Sequence, residues 1–421
     1  MVMIRSVRGM NDLFETDLLL IRKLEKTINQ IFCLYGFDEI RTPIVEELSL
    51  FKRGVGEMSD IVEKEMFVIK DNEHEYCLRP ENTASVVRAL IQRGGIDESF
   101  SEKLFYMGAM FRKERPQKGR LRQFHQYGVE SFGHSSYLAE VEILSMIDHL
   151  FKELKVNNVE LLINSLGNEQ EKIAYKALLY DFLILRKEEL CEDCKRRIEK
   201  NTLRILDCKN KTCQEIAKAA PTCLSSLGDE SKKHFNSVLE ELTKQNIIFT
   251  ISDKLVRGLD YYQKTVFEFV NNDYLGAQNT IAAGGRYDGL FSTLGNKIDL
   301  PAVGLAGGME RLVLLLSDNY QNLHNTVDLA IVTADEYGRR EVSSLAFNLR
   351  KLNIKTDFCL EEKSLKAQMR RANKVNASFV LVLGQEEIKA QKVTLKNFNE
   401  DQKIDVALSH SAIAHSIANK K

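Results

Sequence analysis

The 421-residue sequence has no tryptophan, only five prolines, and no apolar run near the ~20 residues that a membrane-spanning helix needs. Its first residues, MVMIRSVRGMNDL, lack the apolar segment of a secretory signal peptide. We therefore expect no membrane association and a cytoplasmic, reducing location. In such a location the eight cysteines are expected to be free thiols or metal ligands rather than disulfides.

The sequence also lacks a charge imbalance, because 59 basic and 60 acidic residues leave a formal charge of −1. Global charge therefore gives no argument for nucleic-acid binding, and any such contact must come from local patches. The sequence has no GxxxxGK[ST], HExxH or GxSxG signature, and no GxGxxG stands between a predicted strand and a predicted helix. The P-loop, the dinucleotide-binding fingerprint and the two hydrolase motifs are thereby excluded. A nucleotide, if bound, is bound by other means.

Hydrophobic periodicity divides the chain at a polar, aperiodic stretch, residues 317–326, where we predict a linker. The predicted domains are residues 1–325 and residues 326–421. Within the first, residues 171–243 are mostly helical by pattern and contain five of the eight cysteines, which is typical of an inserted helical module. The second alternates strands and helices, which predicts an α/β domain with a mostly parallel sheet.

The pattern of the first domain predicts several further elements. They are an amphipathic helix over 17–35, a strand over 37–46, a hairpin around Asp71 and Asn72, a helix over 82–93, strands over 104–111 and 123–132, a helix over 137–154, strand-like runs at 246–251, 265–270 and 279–283, and a strand, glycine turn and helix over 301–316.

Five stretches combine arginine with carboxylates or glycines. They are LRPENTA (78–84), FRKERPQKGRLRQFHQYGVE (111–130), LVRGLDYYQKTVFEF (255–269), AAGGRYDGL (282–290) and GGMERL (307–312). Arginine offers a planar fork for phosphate or carboxylate, and glycine lets a ligand approach the backbone. Alone, each could be a surface ion pair or a simple turn. Together they predict one site for an anionic ligand, assembled from a sheet.

In chain order these stretches resemble a class II aminoacyl-tRNA synthetase. The first helix with FDEIRTPIVE and its Pro43 resembles motif 1, FRKERP with the strand that follows resembles motif 2, and GLAGGMERL resembles motif 3. LVRGLDYYQKTVFE and AAGGRYDGL closely resemble the histidine signatures of the histidyl-tRNA synthetase family. VRGMNDL, LFKRGVGEMSDIVEKEMF and ERPQKGRLRQFHQYGVE are similar to it as well, so the resemblance extends from Val7 into the C-terminal domain.

The resemblance implies an α+β catalytic domain with a mixed, mainly antiparallel sheet, a helical insertion, and a C-terminal anticodon-binding domain. It implies a histidine–tRNA ligase that activates histidine with ATP, releases pyrophosphate, and transfers histidine to the 3′ end of histidine tRNA. Mg²⁺ is expected with the ATP phosphates, no permanent cofactor is expected, and motif 1 implies a homodimer.

The resemblance also implies roles for individual residues. Arg112, Glu114, Arg257 and Arg311 are expected to bind ATP, with the three arginines catalytic and Arg257 the family's distinctive one. Glu81 and Gln126 are expected to hold the α-amino group of histidine, with Thr83 nearby. Glu130 and Tyr262 are expected to hold the imidazole, because a carboxylate and a phenol can satisfy its donor and acceptor. Tyr261 and Tyr287 are expected to line the same pocket.

Two features leave alternatives open. Cys191 and Cys194 form a CxxC pair, and Cys208 and Cys213 follow at a wider spacing, so four thiolates could bind zinc. We expect no metal there and interpret the cysteines as partly buried helix residues. Asn82 stands where the family has glycine, a position that asparagine can fill if the turn needs a positive φ.

Lys366, Arg370, Arg371 and Lys374 fall on or near one helical face, where they could meet a phosphate backbone or simply face solvent. A non-aminoacylating regulatory paralogue acting in histidine biosynthesis is the alternative function. Such a paralogue is expected to have degraded histidine motifs and no C-terminal domain. Here RGLDYY is intact and an α/β pattern follows residue 326. A synthetase for another amino acid would leave Glu130 and Tyr262 unpaired.

Overall fold

A computed structural model describes residues 3–56, 59, 61–71, 73–272, 279–317, 326–398, 400 and 402–419. The chain divides into two compact units, one of Met1–Leu13 with Leu20–Tyr320 and one of Phe14–Leu19 with Gln321–Lys421. Most of the predicted linker, residues 318–325, lies outside the described residues, as does Asn72 of the predicted hairpin turn. None of the helices in the described part of the chain has the length and hydropathy needed to cross a membrane.

The described chain up to residue 317 contains ten α-helices and eleven strands. The helices are α1 (Glu15–Leu34), α2 (Leu48–Val55), α3 (Thr83–Arg93), α4 (Leu138–Glu153), α5 (Glu169–Ile184), α6 (Glu192–Lys200), α7 (Lys211–Lys218), α8 (Asp229–Lys244), α9 (Leu290–Thr293) and α10 (Met309–Leu316). The strands are β1 (Asp38–Glu39), β2 (Val45–Glu47), β3 (Val68–Lys70), β4 (Glu75–Leu78), β5 (Glu102–Phe111), β6 (Gln123–Phe132), β7 (Val159–Ser165), β8 (Phe249–Ile251), β9 (Gln263–Asn271), β10 (Thr280–Arg286) and β11 (Ala302–Gly308).

Eight strands form the main sheet in the order β1-β5-β6-β11-β10-β9-β7-β8. Only the outermost pairs, β1 with β5 and β7 with β8, are parallel, and the other five are antiparallel. The predicted mixed, mainly antiparallel sheet is therefore confirmed. The hairpin around Asp71 is present as β3 and β4, which form a separate small sheet with β2.

The strand predicted over residues 37–46 is wrong as one element. Its ends belong to different sheets, because β1 pairs with β5 while β2 pairs with β4. Between them Pro43 has no N–H to donate to a ladder, and the side chain of Arg79 donates to the carbonyl oxygens of Thr42 and Pro43 at 2.9 and 3.4 Å. The glycine turn predicted after β11 is also wrong, since the strand runs through Gly308 directly into α10.

The residues predicted as a helical insertion contain α5 to α8. Their apolar side chains do not form a core of their own. One cluster of buried side chains joins Ile198 and Leu203 of this segment to Leu255, Val256 and other residues that surround the main sheet. The insertion therefore packs as part of the first unit and can help to shape its sites.

A buried ion pair connects the main sheet to the helices behind it. The guanidinium of Arg286 on β10 donates through Nε to Glu140 of α4 at 2.8 Å, and neither side chain is exposed. His234 of α8 bonds the same carboxylate at 2.7 Å, and Asp288 accepts from Arg286 at 3.2 Å. Since every charge has a partner, the desolvation of this group is offset, and removal of one member would leave a buried charge unpaired.

The described part of the second unit is an α/β layer structure. It contains β12 (Val327–Thr333), α11 (Glu336–Lys351), β13 (Thr356–Phe358), α12 (Leu365–Lys374), β14 (Ala377–Leu383), α13 (Gln385–Ala390), β15 (Lys392–Asn397), β16 (Lys403–Ala407) and α14 (His410–Ala418). The sheet order is β13-β12-β14-β15-β16. The prediction of a mostly parallel sheet is wrong, because β14, β15 and β16 pair antiparallel. The final hairpin carries no helical crossover that a sequence pattern would reveal.

Gly284 on β10 is expected to be essential for the stability of the main sheet. A Cβ at this position would overlap the carbonyl oxygen of Gly304 and lie 2.8 Å from the Cα of Leu305, both backbone atoms that cannot rotate away. Gly284→Ala should therefore lower the free energy of unfolding by about 3 kcal/mol, measured by urea denaturation. The matched control is Gly289→Ala in the same motif, where a Cβ meets only Asp299 at 3.9 Å. Equal stabilities of the two variants would contradict the packing argument.

Candidate active site

A cavity of about 550 Å³ opens beside the central strands of the main sheet. Nine of the eleven residues predicted for the site line it. They are Glu81, Thr83, Arg112, Glu114, Gln126, Arg257, Tyr261, Tyr262 and Arg311. The other two, Glu130 and Tyr287, lie in the protein interior with 0% and 1% of their surface exposed. The scattered motifs therefore come together in one place, as predicted for a site assembled from a sheet.

The carboxylate of Glu81 is fixed at the N-terminal turn of α3. Its Oε2 accepts from the backbone N–H of Thr83 at 2.7 Å, and its Oε1 accepts from that of Ala84 at 3.1 Å. A carboxylate at this end of a helix is stabilised by the helix dipole. Burial has the larger effect and raises the pKa of Glu81. A cationic ligand group beside Glu81 would favour its ionised form.

Gln126 offers an acceptor that the protein itself does not use. Its Oε1 is buried and has no hydrogen-bond partner among the described residues. Along β6, Gln126, Gly128 and Glu130 share one face of the strand, as their spacing predicts. A buried acceptor without a donor is costly, and a ligand ammonium or amide donor would satisfy it.

Glu130 is held by two hydroxyl groups. Thr83 Oγ1 donates to its Oε1 at 2.6 Å, and the Tyr287 hydroxyl donates to its Oε2. Burial raises the pKa of Glu130 to about 8, although both hydroxyl donors act in the opposite direction. The side chain lies across Gly304 of β11, where a Cβ would overlap Oε2. Glycine at that position is therefore required by the carboxylate.

Three tyrosine rings cluster beside this carboxylate. Tyr261 lies 4.6 Å from Tyr262 and 5.4 Å from Tyr287 between ring centroids, and Tyr262 meets Tyr287 edge-on at 6.3 Å. The sequence-based expectation set Glu130 opposite Tyr262, whereas the phenol that bonds it here is Tyr287. The rings form a wall that could enclose a flat heterocycle by stacking and edge contacts.

Arginines concentrate positive charge in the cavity. Arg112 Nε donates to the carbonyl of Pro80 at 3.0 Å, and its guanidinium lies 5.3 Å from the Phe124 ring. Arg311 donates to the carbonyl oxygens of Thr280 and of Gly119, the latter at 3.4 Å. Burial, then the charges of Arg120 and Arg112, lower the pKa of Arg311 to about 10. A phosphate placed among these cations would relieve their repulsion.

Arg257 is oriented by a carboxylate on the neighbouring strand. It forms an ion pair with Glu268 of β9, whose other oxygen accepts from Thr280 Oγ1 at 3.2 Å. The guanidinium lies 5.7 Å from the Tyr262 ring, and its Nε has no hydrogen-bond partner among the described residues. Arg257 is thus held between Glu268 and the ring of Tyr262.

Glu310 connects α10 to β6. Its carboxylate accepts twice from the backbone N–H of His125, at 2.9 Å each, and bonds the His125 ring nitrogen Nδ1 at 2.8 Å. The hydrogen bond raises the pKa of His125. The start of α10, with Arg311, is therefore bound directly to β6, with Gln126 and Glu130.

Two motif arginines do not enter the site. Arg286 is buried in the ion pair with Glu140, and Arg79 donates to Thr42, Pro43, Ala109 and Asn82. The idea that Asn82 fills a positive-φ turn is wrong, because its φ is −122°. Its side-chain oxygen accepts from Thr42 Oγ1 at 2.6 Å and from Arg79 at 3.2 Å, which glycine could not do.

Several lining residues were missed by the sequence reasoning. They include Arg120, Arg204, Asp207, Lys209 and Glu268. Glu268 and Arg120 stand inside quoted motifs and could have been found there, Glu268 as the only glutamate of the motif that carries Arg257. Arg204, Asp207 and Lys209 belong to the helical insertion, and only the tertiary packing of that segment brings them to the cavity.

Comparisons with known proteins agree with this geometry. A family model described as histidyl-tRNA synthetase matches residues 9–312, and an anticodon binding domain model matches residues 327–413. The histidine–tRNA ligase of Syntrophotalea carbinolica is 43% identical over 406 residues, which cover 96% of this chain and 96% of that protein. The chain belongs to the histidyl-tRNA synthetase family. The histidine–tRNA ligase of Geobacter sulfurreducens is similar, at 42% identity over 99% of this chain and 100% of that protein.

Solved structures of this family have the same fold. The apo histidyl-tRNA synthetase of S. aureus is 30% identical, with a TM-score of 0.81 over 99% of this chain and 100% of that one. A Bacillus halodurans protein described as an ATP phosphoribosyltransferase regulatory subunit or histidyl-tRNA synthetase is 20% identical, with a TM-score of 0.64 over 91% of this chain and 99% of that one. At that identity the second likeness concerns the fold alone.

The buried carboxyl of Glu130 should make stability depend on pH. Because its folded pKa is raised to about 8, its contribution is complete below the pKa of a free glutamate, about 4.3, and is lost as pH rises through about 8. Relative to Glu130→Gln, the wild-type free energy of unfolding should fall by on the order of 1–3 kcal/mol between pH 5 and 8. Urea denaturation across that range measures the difference.

The exposed Glu240→Gln on α8 is the matched control, and it should keep the wild-type slope. A wild type and a Glu130→Gln variant that lose stability in parallel would show that this carboxyl does not titrate with a raised pKa.

Proposed function

We propose that the chain is a histidine–tRNA ligase whose active site is the cavity beside the central strands, with the residue roles given below. The observation that carries the proposal is the combination of side chains that line that cavity. Arginine cations suited to phosphate stand there together with the buried acceptors Glu81 and Gln126 and with tyrosine rings. ATP and a small amino acid would bind there together.

The first step forms histidyl-adenylate. A carboxylate oxygen of histidine attacks the α-phosphorus of ATP, the bond to the bridging oxygen breaks, and pyrophosphate leaves. Arg112, Arg257 and Arg311 surround the phosphates and stabilise the charge that spreads over their oxygens. Glu114 is placed near the nucleotide, and its ion pair with Arg120 at 2.8 Å orders the loop above it. Mg²⁺ enters with the β- and γ-phosphates as part of the substrate.

The amino-acid end selects histidine. Glu81 and Gln126 accept from the α-ammonium, with Thr83 beside them. The imidazole faces Glu130 and Tyr262, and Tyr261 and Tyr287 enclose it. Gln126 Oε1 has no protein donor in the described part of the chain, so a ligand without a matching donor would leave it unpaired. A site that depends on buried polar groups in this way can reject such analogues by about 10⁴-fold or more. Selection at this level needs no editing domain.

The second step transfers histidine to tRNA. A hydroxyl of the 3′-terminal ribose attacks the carbonyl carbon of the adenylate, and AMP leaves. The basic loop of residues 111–122 borders the cavity mouth and would meet the acceptor end. Residues 326–421 are proposed as the anticodon-binding domain, after a catalytic domain of residues 1–325. On α12, Lys366, Arg370 and Lys374 are exposed, whereas Arg371 is held by Asp357 at 2.8 Å.

We propose that the chain acts as a cytoplasmic homodimer, since charged tRNA is consumed by ribosomes there. Apolar side chains around the motif 1 segment support the dimer. Leu34, Ile44, Val45, Val68 and Ile69 are 43–68% exposed, which is typical of a surface that a partner covers. The regulatory paralogue is disfavoured, because the histidine motifs converge on one cavity and an anticodon-binding domain model matches residues 327–413.

Pyrophosphate exchange into ATP should occur with histidine and with no other of the twenty amino acids when no tRNA is present. The physical reason is that only an imidazole matches both the carboxyl of Glu130 and the surrounding phenols. Isotope exchange at equal amino-acid concentrations measures it. No exchange with any amino acid, from folded protein, would overturn the ligase in favour of the regulatory paralogue. Exchange with another amino acid in place of histidine would overturn both the pocket assignment and histidine as the substrate, while an aminoacyl-tRNA ligase of other specificity would remain.

Arg257→Ala should lower the exchange rate by on the order of 10³-fold or more, because it removes a cation from the reacting phosphate. The thermal midpoint of unfolding should stay close to that of the wild type. The KM for histidine should change by a much smaller factor than kcat. Arg340→Ala, which removes an exposed arginine paired with Glu336 on α11, is the control and should leave exchange unchanged. Residual activity of Arg257→Ala within tenfold of wild type would exclude a catalytic role.

A further inference from the structure

Four cysteines of the helical insertion come together at one point. The Sγ atoms of Cys191, Cys194, Cys208 and Cys213 all lie within 4.8 Å of one another. Cys191 is half-buried and the other three are buried. They come from two helices and the turn between them, so no single helix brings them together. Sequence spacing alone favoured separate thiols.

The spacing of the sulfur atoms fits one tetrahedral ion. Four thiolates at the usual zinc–sulfur distance of about 2.3 Å lie about 3.8 Å apart, and Cys191 Sγ lies 3.8 Å from Cys208 Sγ. A disulfide needs about 2.05 Å instead, and all eight cysteines are free thiols. An iron–sulfur cluster distributes its thiolates over several iron atoms, whereas these four surround a space for one ion.

The surrounding backbone favours thiolates at this point. Cys191 and Cys194 stand at the N-cap and first turn of α6, and Cys213 stands in the first turn of α7. Helix N-termini stabilise negative charge and lower the cost of ionising a thiol. The N–H of Cys191 donates to Cys213 Sγ at 3.2 Å, and that of Asn210 donates to Cys208 Sγ at 3.5 Å. Such bonds orient the ligands of a metal site.

We propose that Cys191, Cys194, Cys208 and Cys213 bind one structural Zn²⁺, which displaces their thiol protons. All four positions of the tetrahedron are then filled by protein, so the ion is not itself available to a substrate. This proposal replaces the expectation of no metal.

The zinc would fix a wall of the active site. Cys208 stands between Asp207 and Lys209, and both of these line the cavity together with Arg204. The same segment is attached to the Arg257 loop, because Asn201 Nδ2 donates to Asp260 Oδ1 at 2.8 Å. A tetrahedral clamp on this turn would hold the insertion against the nucleotide site. This role in activity rests on the proposed function, whereas metal binding does not.

The test is the metal content of the full chain, purified without chelator or affinity metal and measured by inductively coupled plasma mass spectrometry. We expect about one zinc per chain. The double variant Cys191→Ser/Cys208→Ser should lose it. Cys223→Ser is the matched control, because Cys223 is a buried cysteine of the same insertion outside the cluster, and it should retain the zinc. Cobalt added to metal-free wild type should give the intense visible bands of tetrahedral Co²⁺ thiolate.

Wild type that carries no zinc and gives no such cobalt spectrum would overturn the proposal, as would iron in place of zinc. Retention of zinc by the double variant would overturn the ligand assignment. Since the double variant could unfold, the wild-type measurements decide the matter without it. Removal of zinc should lower histidine-dependent exchange, and its return should restore it. Bound zinc without histidine-dependent pyrophosphate exchange would contradict the proposed ligase but would support the metal site.

Discussion

The site depends on glycines in the central strands, because large side chains lie flat across the sheet there. Glu130 covers Gly304, and the rings of Tyr106 and Tyr127 cover Gly128 and Gly307, each pair being direct neighbours across two strands. A Cβ at any of these positions would overlap the side chain that covers it. Side chains from one strand therefore lie over the bare backbone of the next, which fixes them without help from a ligand.

The arginines of the first unit fall into two groups, one that stabilises the fold and one that borders the cavity. Arg286 and Arg79 are surrounded by protein acceptors and contribute to packing. Arg112, Arg257 and Arg311 make fewer bonds to protein and line the cavity. Burial, and then the charges of Arg120 and Arg112, lower the pKa of Arg311. Cations held near one another in the interior store a preference for an anion, which is the preorganisation that phosphoryl transfer requires. The ion pair of Arg257 with Glu268 keeps that cation in place.

Sequence reasoning predicted the main sheet, most of its elements and nine of the residues that line the cavity, because those parts are marked by local signals. Alternation identified β5 and β6, and arginine beside glycine identified the motifs. The spacing of residues alone did not show that Arg286 is buried against α4, since that burial is decided by tertiary packing, and only the family resemblance assigned Arg311 to the site. The sequence pattern led us to treat β1 and β2 as one strand, because Pro43 interrupts the backbone hydrogen bonds of a strand but not the apolar pattern of the sequence. It missed Arg204 and Lys209 because nothing local shows where an insertion folds back, and it missed the antiparallel end of the second sheet for a similar reason.

The contact between Glu310 and His125 fixes the separation of α10 from β6. Three hydrogen bonds attach the first turn of α10 to the strand that carries Gln126 and Glu130. Arg311, which is proposed to bind phosphate, and Gln126, which is proposed to accept from the α-ammonium, are consequently held at a fixed separation. A ligand that contacts both is selected by the distance between its anionic and cationic groups as well as by the shape of its side chain.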